Sequence, residues 1–161
     1  MGKAPFSTLT EDSLDASQGS AAMNDLRTVL VVDDEESLRR LLARVLKRSG
    51  AQVMTAGTAS EARQLFRENM AELDVVLLDV LMPGGEGAAI LLPEFLAERP
   101  SLEVILTSGD ALPLDLEADL TRIGGQFLRK PFMPKALLRL LDPGADDVSS
   151  GPGSAGPGGI C

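Results

Sequence analysis

The chain has 161 residues, 44% of them apolar and 3% aromatic, and carries a formal charge of −9. That length suits one domain of ordinary size, and the acid excess, the lack of Trp and Tyr and the lack of any basic run longer than a pair exclude nucleic acid as a partner. The chain has no His, which excludes imidazole catalysis and His-ligated metals, and its single cysteine, Cys161, excludes an internal disulfide.

Residues 1–25 are rich in Ser, Thr, Ala and acid without apolar periodicity, and a disordered leader is expected there, with Met1 and Met23 both open as the start. This stretch lacks the layout of a signal peptide, and no apolar run in the chain approaches a membrane span. A soluble, cytoplasmic protein without membrane insertion is expected.

Thr28 to Val32 is a β-branched, apolar run that reads as a buried strand, and it ends in Asp33, Asp34, Glu35 and Glu36. Acids favour the amino end of a helix, which accounts for Glu35 and Glu36 but less well for the two aspartates that close the strand. Leu38, Leu41, Leu42, Val45 and Leu46 then give a helical stripe, stopped after Lys47, Arg48 and Gly50. Gln52 to Ala56 is a second strand. Thr58 and Glu61 form a capping box for a helix with Ala62, Leu65, Phe66 and Met70 on its apolar face.

Val75 to Leu78 has no alternating polar face and suits a strand covered on both sides; Asp79 ends it, and Met82, Pro83, Gly84, Gly85 and Gly87 make a tight loop. The next helix carries Ile90, Leu91, Phe95 and Leu96 and is expected to kink or restart at Pro93. Glu103 to Thr107 is the fourth strand, followed by Ser108, Gly109 and Asp110. Leu116, Leu120 and Ile123 mark a short helix, Gln126 to Arg129 a fifth strand, and Leu137, Leu138, Leu140 and Leu141 a last helix opening near Pro134. Beyond it, residues 143–161 read as a flexible Gly/Pro/Ser tail, and Cys161 is misplaced for prenylation because it is the final residue.

Five strand–helix units in succession imply a parallel sheet with helices on both faces. The carboxyl ends of its strands would then bring Asp33, Asp34, Asp79, Ser108 and Lys130 to one edge, where an open α/β sheet collects its ligands. Three carboxylates so close raise each other's pKa unless a cation holds them, and a hard divalent ion such as Mg²⁺ fits that donor set. Alone, each residue has a plainer reading: Asp79 as an acid in a turn, Lys130 as an exposed lysine, Ser108 as part of an ordinary turn, Phe127 as core.

Together, Val-Val-Asp33-Asp34-Glu35, the Asp79-x-x-Met82-Pro83-Gly84-x-x-Gly87 loop, Ser108-Gly109 and Lys130-Pro131-Phe132 make residues 26–142 resemble the receiver domain of bacterial response regulators, of the stand-alone type. The resemblance implies a flavodoxin-like α/β fold with strand order 2-1-3-4-5. It also implies that Asp79 is the phosphoacceptor, that Asp34, Asp79 and the backbone carbonyl of Leu81 hold Mg²⁺ with Asp33 assisting, and that Lys130 and Ser108 contact the phosphoryl group. Ser108 and Phe127 would act as the switch pair, and Pro131 would follow a cis peptide bond.

The implied function is a signalling switch in a phosphorelay rather than an enzyme. Its partners would be a sensor histidine kinase or histidine phosphotransfer protein and an output protein. The chain would be a monomer or a weak phosphorylation-dependent dimer. The alternative is an adaptor of the same fold that works without phosphorylation. Leu81 and Asp110 occupy positions that vary in the family and tune the lifetime of the aspartyl phosphate, and Pro93 and Pro113 make the third and fourth helices atypical.

Overall fold

The computed structural model describes residues 27–143, so the expected leader and nearly all of the expected tail lie outside the described residues. Five parallel strands, β1 (Thr28–Val32), β2 (Gln52–Ala56), β3 (Val75–Asp79), β4 (Glu103–Ser108) and β5 (Gln126–Arg129), form one sheet in the order β2-β1-β3-β4-β5. Five helices alternate with them: α1 (Glu36–Arg48), α2 (Ala59–Asn69), α3 (Ala88–Glu98), α4 (Leu114–Arg122) and α5 (Pro134–Leu141).

The run of apolar residues in β1 and β3 has a simple cause. Side chains alternate across a strand, and each face of this sheet is covered. Val29, Val31, Val75 and Leu77 pack with Leu42 and Leu46 of α1 and with Leu137 and Leu141 of α5. Leu30, Val32, Val76 and Leu78 pack on the other face with residues of α2, α3 and α4. There Phe66 and Phe95 stack with ring centroids 4.2 Å apart, joining α2 to α3.

Local signals act where the sequence places them. Thr58 Oγ1 accepts the Glu61 N–H at 3.1 Å, while Glu61 reaches back to the Gly57 N–H at 2.7 Å, one residue before the usual partner. One of the two alternatives at Pro93 falls, and two positions of the helical patterns lie outside the core. Helix α3 does not restart at Pro93 but runs from Ala88 to Glu98. Pro93 and Ala89 are both exposed, so the missing helical hydrogen bond lies on a side of the helix that water can reach. Leu41 of α1 and Ile90 of α3, counted in the helical patterns, are 41% and 43% exposed. In each helix the buried stripe is narrower than its leucine content, and in α3 Leu92 fills the core instead.

Candidate functional site

Strand order reverses between β1 and β3, so their carboxyl ends flank the crevice of the sheet. Asp33 continues the β1 ladder, its N–H donating to the Ala56 carbonyl at 3.1 Å, and its side chain is buried. One carboxylate oxygen accepts the Glu35 N–H at 2.8 Å, and its backbone carbonyl accepts Arg39 Nη1 at 2.7 Å. These contacts hold the first acid rigidly at the start of α1. Asp34, the next residue, is exposed.

Asp79 is the last residue of β3 rather than the first of the loop, because the ladder with β4 extends to its pairing with Thr107. Only 4% of it is exposed. The loop that follows is folded back tightly: Val80 N–H donates to the Thr107 carbonyl, Ala88 N–H donates to the Val80 carbonyl, and Leu81 N–H donates to Asp79 Oδ1 at 3.3 Å. Gly87 is required by this return. A Cβ there would run into the Val80 carbonyl. Gly84, with φ of 88°, takes a left-handed turn that other residues adopt reluctantly.

Lys130 enters from beyond β5. Its ammonium lies 2.8 Å from Asp33 Oδ2 and 3.2 Å from Asp79 Oδ2, so one cation bridges the two buried acids. The Lys130–Pro131 peptide bond is cis. Asp33, Asp34 and Asp79 each offer a carboxylate oxygen within 4.8 Å of the others. Burial first, and then the charge of Asp33, push the Asp79 carboxyl up to about 6 from 3.8, against the pull of Lys130. Burial would by itself lower the Lys130 ammonium, but the hydrogen bond and charge of Asp33, then those of Asp79, outweigh it and hold the group above its ordinary value.

Ser108 closes β4 beside this group and is buried; its hydroxyl accepts the Asp110 N–H at 3.0 Å. It lies within the strand, one residue beyond the expected end, because it pairs with Arg129 of β5. Phe127 in β5 is partly buried against the core on the α2–α3–α4 face. Leu81 is 64% exposed.

One constellation had no signal in the sequence. Arg63 of α2 makes a two-pronged contact with Glu94 of α3, at 2.7 and 2.9 Å, and reaches Glu86 in the β3–α3 loop at 2.8 Å. It fastens the loop that follows Asp79 to the neighbouring helices. Its members lie far apart in the chain, so no local spacing marks them.

No helix among the described residues is long and apolar enough to cross a membrane. Residues 29–142 match the model of the response regulator receiver domain. The probable transcriptional regulatory protein TcrX of Mycobacterium tuberculosis is 37% identical over 114 residues, which are 70% of this chain and 47% of that protein. The sensor kinase CckA of Brucella abortus is 38% identical over 113 residues, 68% of this chain and 12% of that protein. The chain thus spans less than half the length of these two curated relatives. A solved response regulator receiver domain protein from Clostridium thermocellum is similar with a TM-score of 0.66 at 28% identity, covering 78% of this chain and 98% of that one. A CheY-like receiver domain protein from Methanospirillum hungatei gives 0.64 at 26%, covering 78% and 98%. The sheet order, the acids gathered at its switch point and the match over residues 29–142 agree: the chain belongs to the response regulator receiver domain family, phosphoacceptor modules of two-component signalling rather than enzymes in the ordinary sense.

Proposed function

We propose that Asp79 accepts a phosphoryl group from a phosphohistidine on a sensor histidine kinase or a histidine phosphotransfer protein, and that the modified chain signals by contact with an output protein. The observation that carries this reading is the buried Asp79 carboxylate, gathered with Asp33 and Asp34 and bridged to Asp33 by Lys130. A carboxyl group titrating at about 6 is mostly ionised at neutral pH and needs no general base. An Oδ–P bond forms as the N–P bond of the donor breaks; the departing imidazole keeps the electron pair and takes up a proton from solvent.

The donor set suits Mg²⁺, since three clustered carboxylates present hard oxygen ligands, and one of them, Asp79, is raised by burial and by the charge of Asp33, which a bound cation would offset. Asp34, Asp79 and the Leu81 carbonyl would hold it, with Asp33 assisting through a water. Bound there, the ion would neutralise charge gathering on the phosphoryl oxygens. Lys130, already 3.2 Å from Asp79 Oδ2, is placed to follow that charge onto the phosphoryl group. The Ser108 hydroxyl would donate to the aspartyl phosphate, and Phe127 would turn inward into the space so vacated. Residues 26–142 would suffice for this chemistry.

The test is intact mass after incubation with Mg²⁺ and acetyl phosphate, beside Asp79→Asn. A gain of one phosphoryl group in the parent alone is expected. No gain, in a protein shown by titration to bind Mg²⁺, would leave a phosphorylation-independent adaptor as the function.

A further inference from the structure

A second concave feature lies beside the acidic edge. A groove of about 420 Å³ opens between the β3–α3 loop, α3 and α4, with Leu81, Met82, Leu92, Pro93, Pro113 and Leu116 among its walls. No Lys or Arg lines it, and its polar residues are Asp115 and Asp119, one helical turn apart on α4. A volume of this size is within the range of sites that hold a ligand or an anchoring side chain.

Part of this has a plain cause. Asp115 stands in the first turn of α4, where an acid complements unpaired N–H groups, and α4 has no side-chain cap of its own. That does not account for the apolar lips. Leu81 is 64% exposed, and Leu114, between the two lining residues Pro113 and Asp115, is 82% exposed. Single exposed leucines are ordinary; two of them beside an apolar hollow with an acidic wall form a patch. Asp119 is already engaged by Arg122 at 2.6 Å, whereas Asp115 has no ion pair among the described residues.

We propose that this groove is a docking site for a helical segment of a partner protein that carries an apolar anchor and basic residues one turn apart. The anchor seats against Leu81, Met82 and Leu116, and the cations meet Asp115 and Asp119. The choice of a cationic occupant rests on charge complementarity, since both titratable side chains of the wall are acids, and the choice of a helix on their one-turn spacing. The inference goes beyond the phosphoryl switch and does not need Asp79 to be modified.

The probe is a labelled alanine-based helical peptide of about 15 residues with Leu at i and i+4 and Arg at i+1 and i+5, beside a twin carrying Glu for Arg. Binding to the full chain is followed by fluorescence anisotropy and by backbone amide shifts. The Arg peptide is expected to bind at least tenfold more tightly than the Glu twin, with shifts confined to Leu81–Gly87, the exposed side of α3 and Leu114–Leu120. Asp115→Lys is expected to weaken it at least tenfold, and Ala89→Phe, which fills the groove from an exposed helix position, to abolish it. Glu72→Lys, at an exposed acid on the opposite edge of the sheet, is expected to change it less than twofold. Equal binding of the two peptides overturns the proposal, as does equal weakening by Glu72→Lys and Asp115→Lys, which marks generic attraction to an acidic protein. Absence of binding together with dilution-dependent shifts of the groove amides overturns it in favour of a second copy of the chain.

Discussion

At the sheet edge one lysine serves two acids, Asp33 and Asp79; between α2 and α3 one arginine serves two acids, Glu86 and Glu94. The charge ratio is the same, yet the outcomes are opposite. Asp79 is pushed up, first by burial, whereas Glu94 is held below its ordinary value, first by its hydrogen bonds to Arg63. Solvent makes one difference: the side chains of Asp33 and Asp79 are 4% and 6% exposed, those of Glu86 and Glu94 49% and 40%. Donor geometry makes the other, because a planar guanidinium meets several oxygens in fixed directions while an ammonium is a compact point charge. The clamp is satisfied as it stands; at the sheet edge burial and the charge of Asp33 keep the Asp79 carboxyl raised in spite of Lys130.

This contrast can be broken at three places, and an exposed pair elsewhere sets the scale. The largest effect is expected from Lys130→Met in EDTA, where removal of the bridging cation leaves two buried acids and costs about 4 kcal/mol at pH 8 in urea unfolding. At pH 5 the loss should shrink, because Asp79 takes up a proton; an equal loss at both values would mean that the cation is not what the acids require. Next is Asp79→Asn. The folded carboxyl titrates at about 6 and the unfolded one at 3.8, so this group's contribution is full below pH 3.8 and is lost as the pH rises through 6. Without divalent ions the variant should therefore be more stable than the parent at pH 8, by about 3 kcal/mol, and no more stable below about pH 4.

A smaller loss, about 1 kcal/mol in thermal or urea unfolding, is expected for Arg63→Ala, since its partners keep access to water. That loss should be flat between pH 5 and 8, because Glu94 titrates below its ordinary range and the pair weakens only as acid reaches that lower range. Smallest is Arg122→Ala, which breaks an exposed contact with Asp119 within α4 and should move stability by less than about 0.5 kcal/mol.

Much of this architecture was legible in the sequence, for identifiable reasons. Strands β1, β2 and β5 begin and end at the expected residues, and α5 opens at Pro134 as expected. The carboxyl-edge residues could be gathered because a parallel sheet places every strand end on one side. What was not legible depends on long-range contact. Ser108 belongs to its strand only because β5 continues the ladder beside it. The different surroundings of Asp33 and Asp34 come from Lys130, Arg39 and the Glu35 amide, not from composition. Pro93 signals a break that its exposed position makes unnecessary, and the Arg63 clamp joins three segments that no periodicity links.

The Lys130 backbone N–H donates to the Ser108 carbonyl at 2.8 Å. This bond yokes the hydroxyl and the ammonium that flank Asp79 to a single span of backbone. A displacement of one would therefore be passed to the other through the main chain rather than through their side chains. Grafting either residue alone onto a different scaffold would carry over its chemistry but leave the gearing behind.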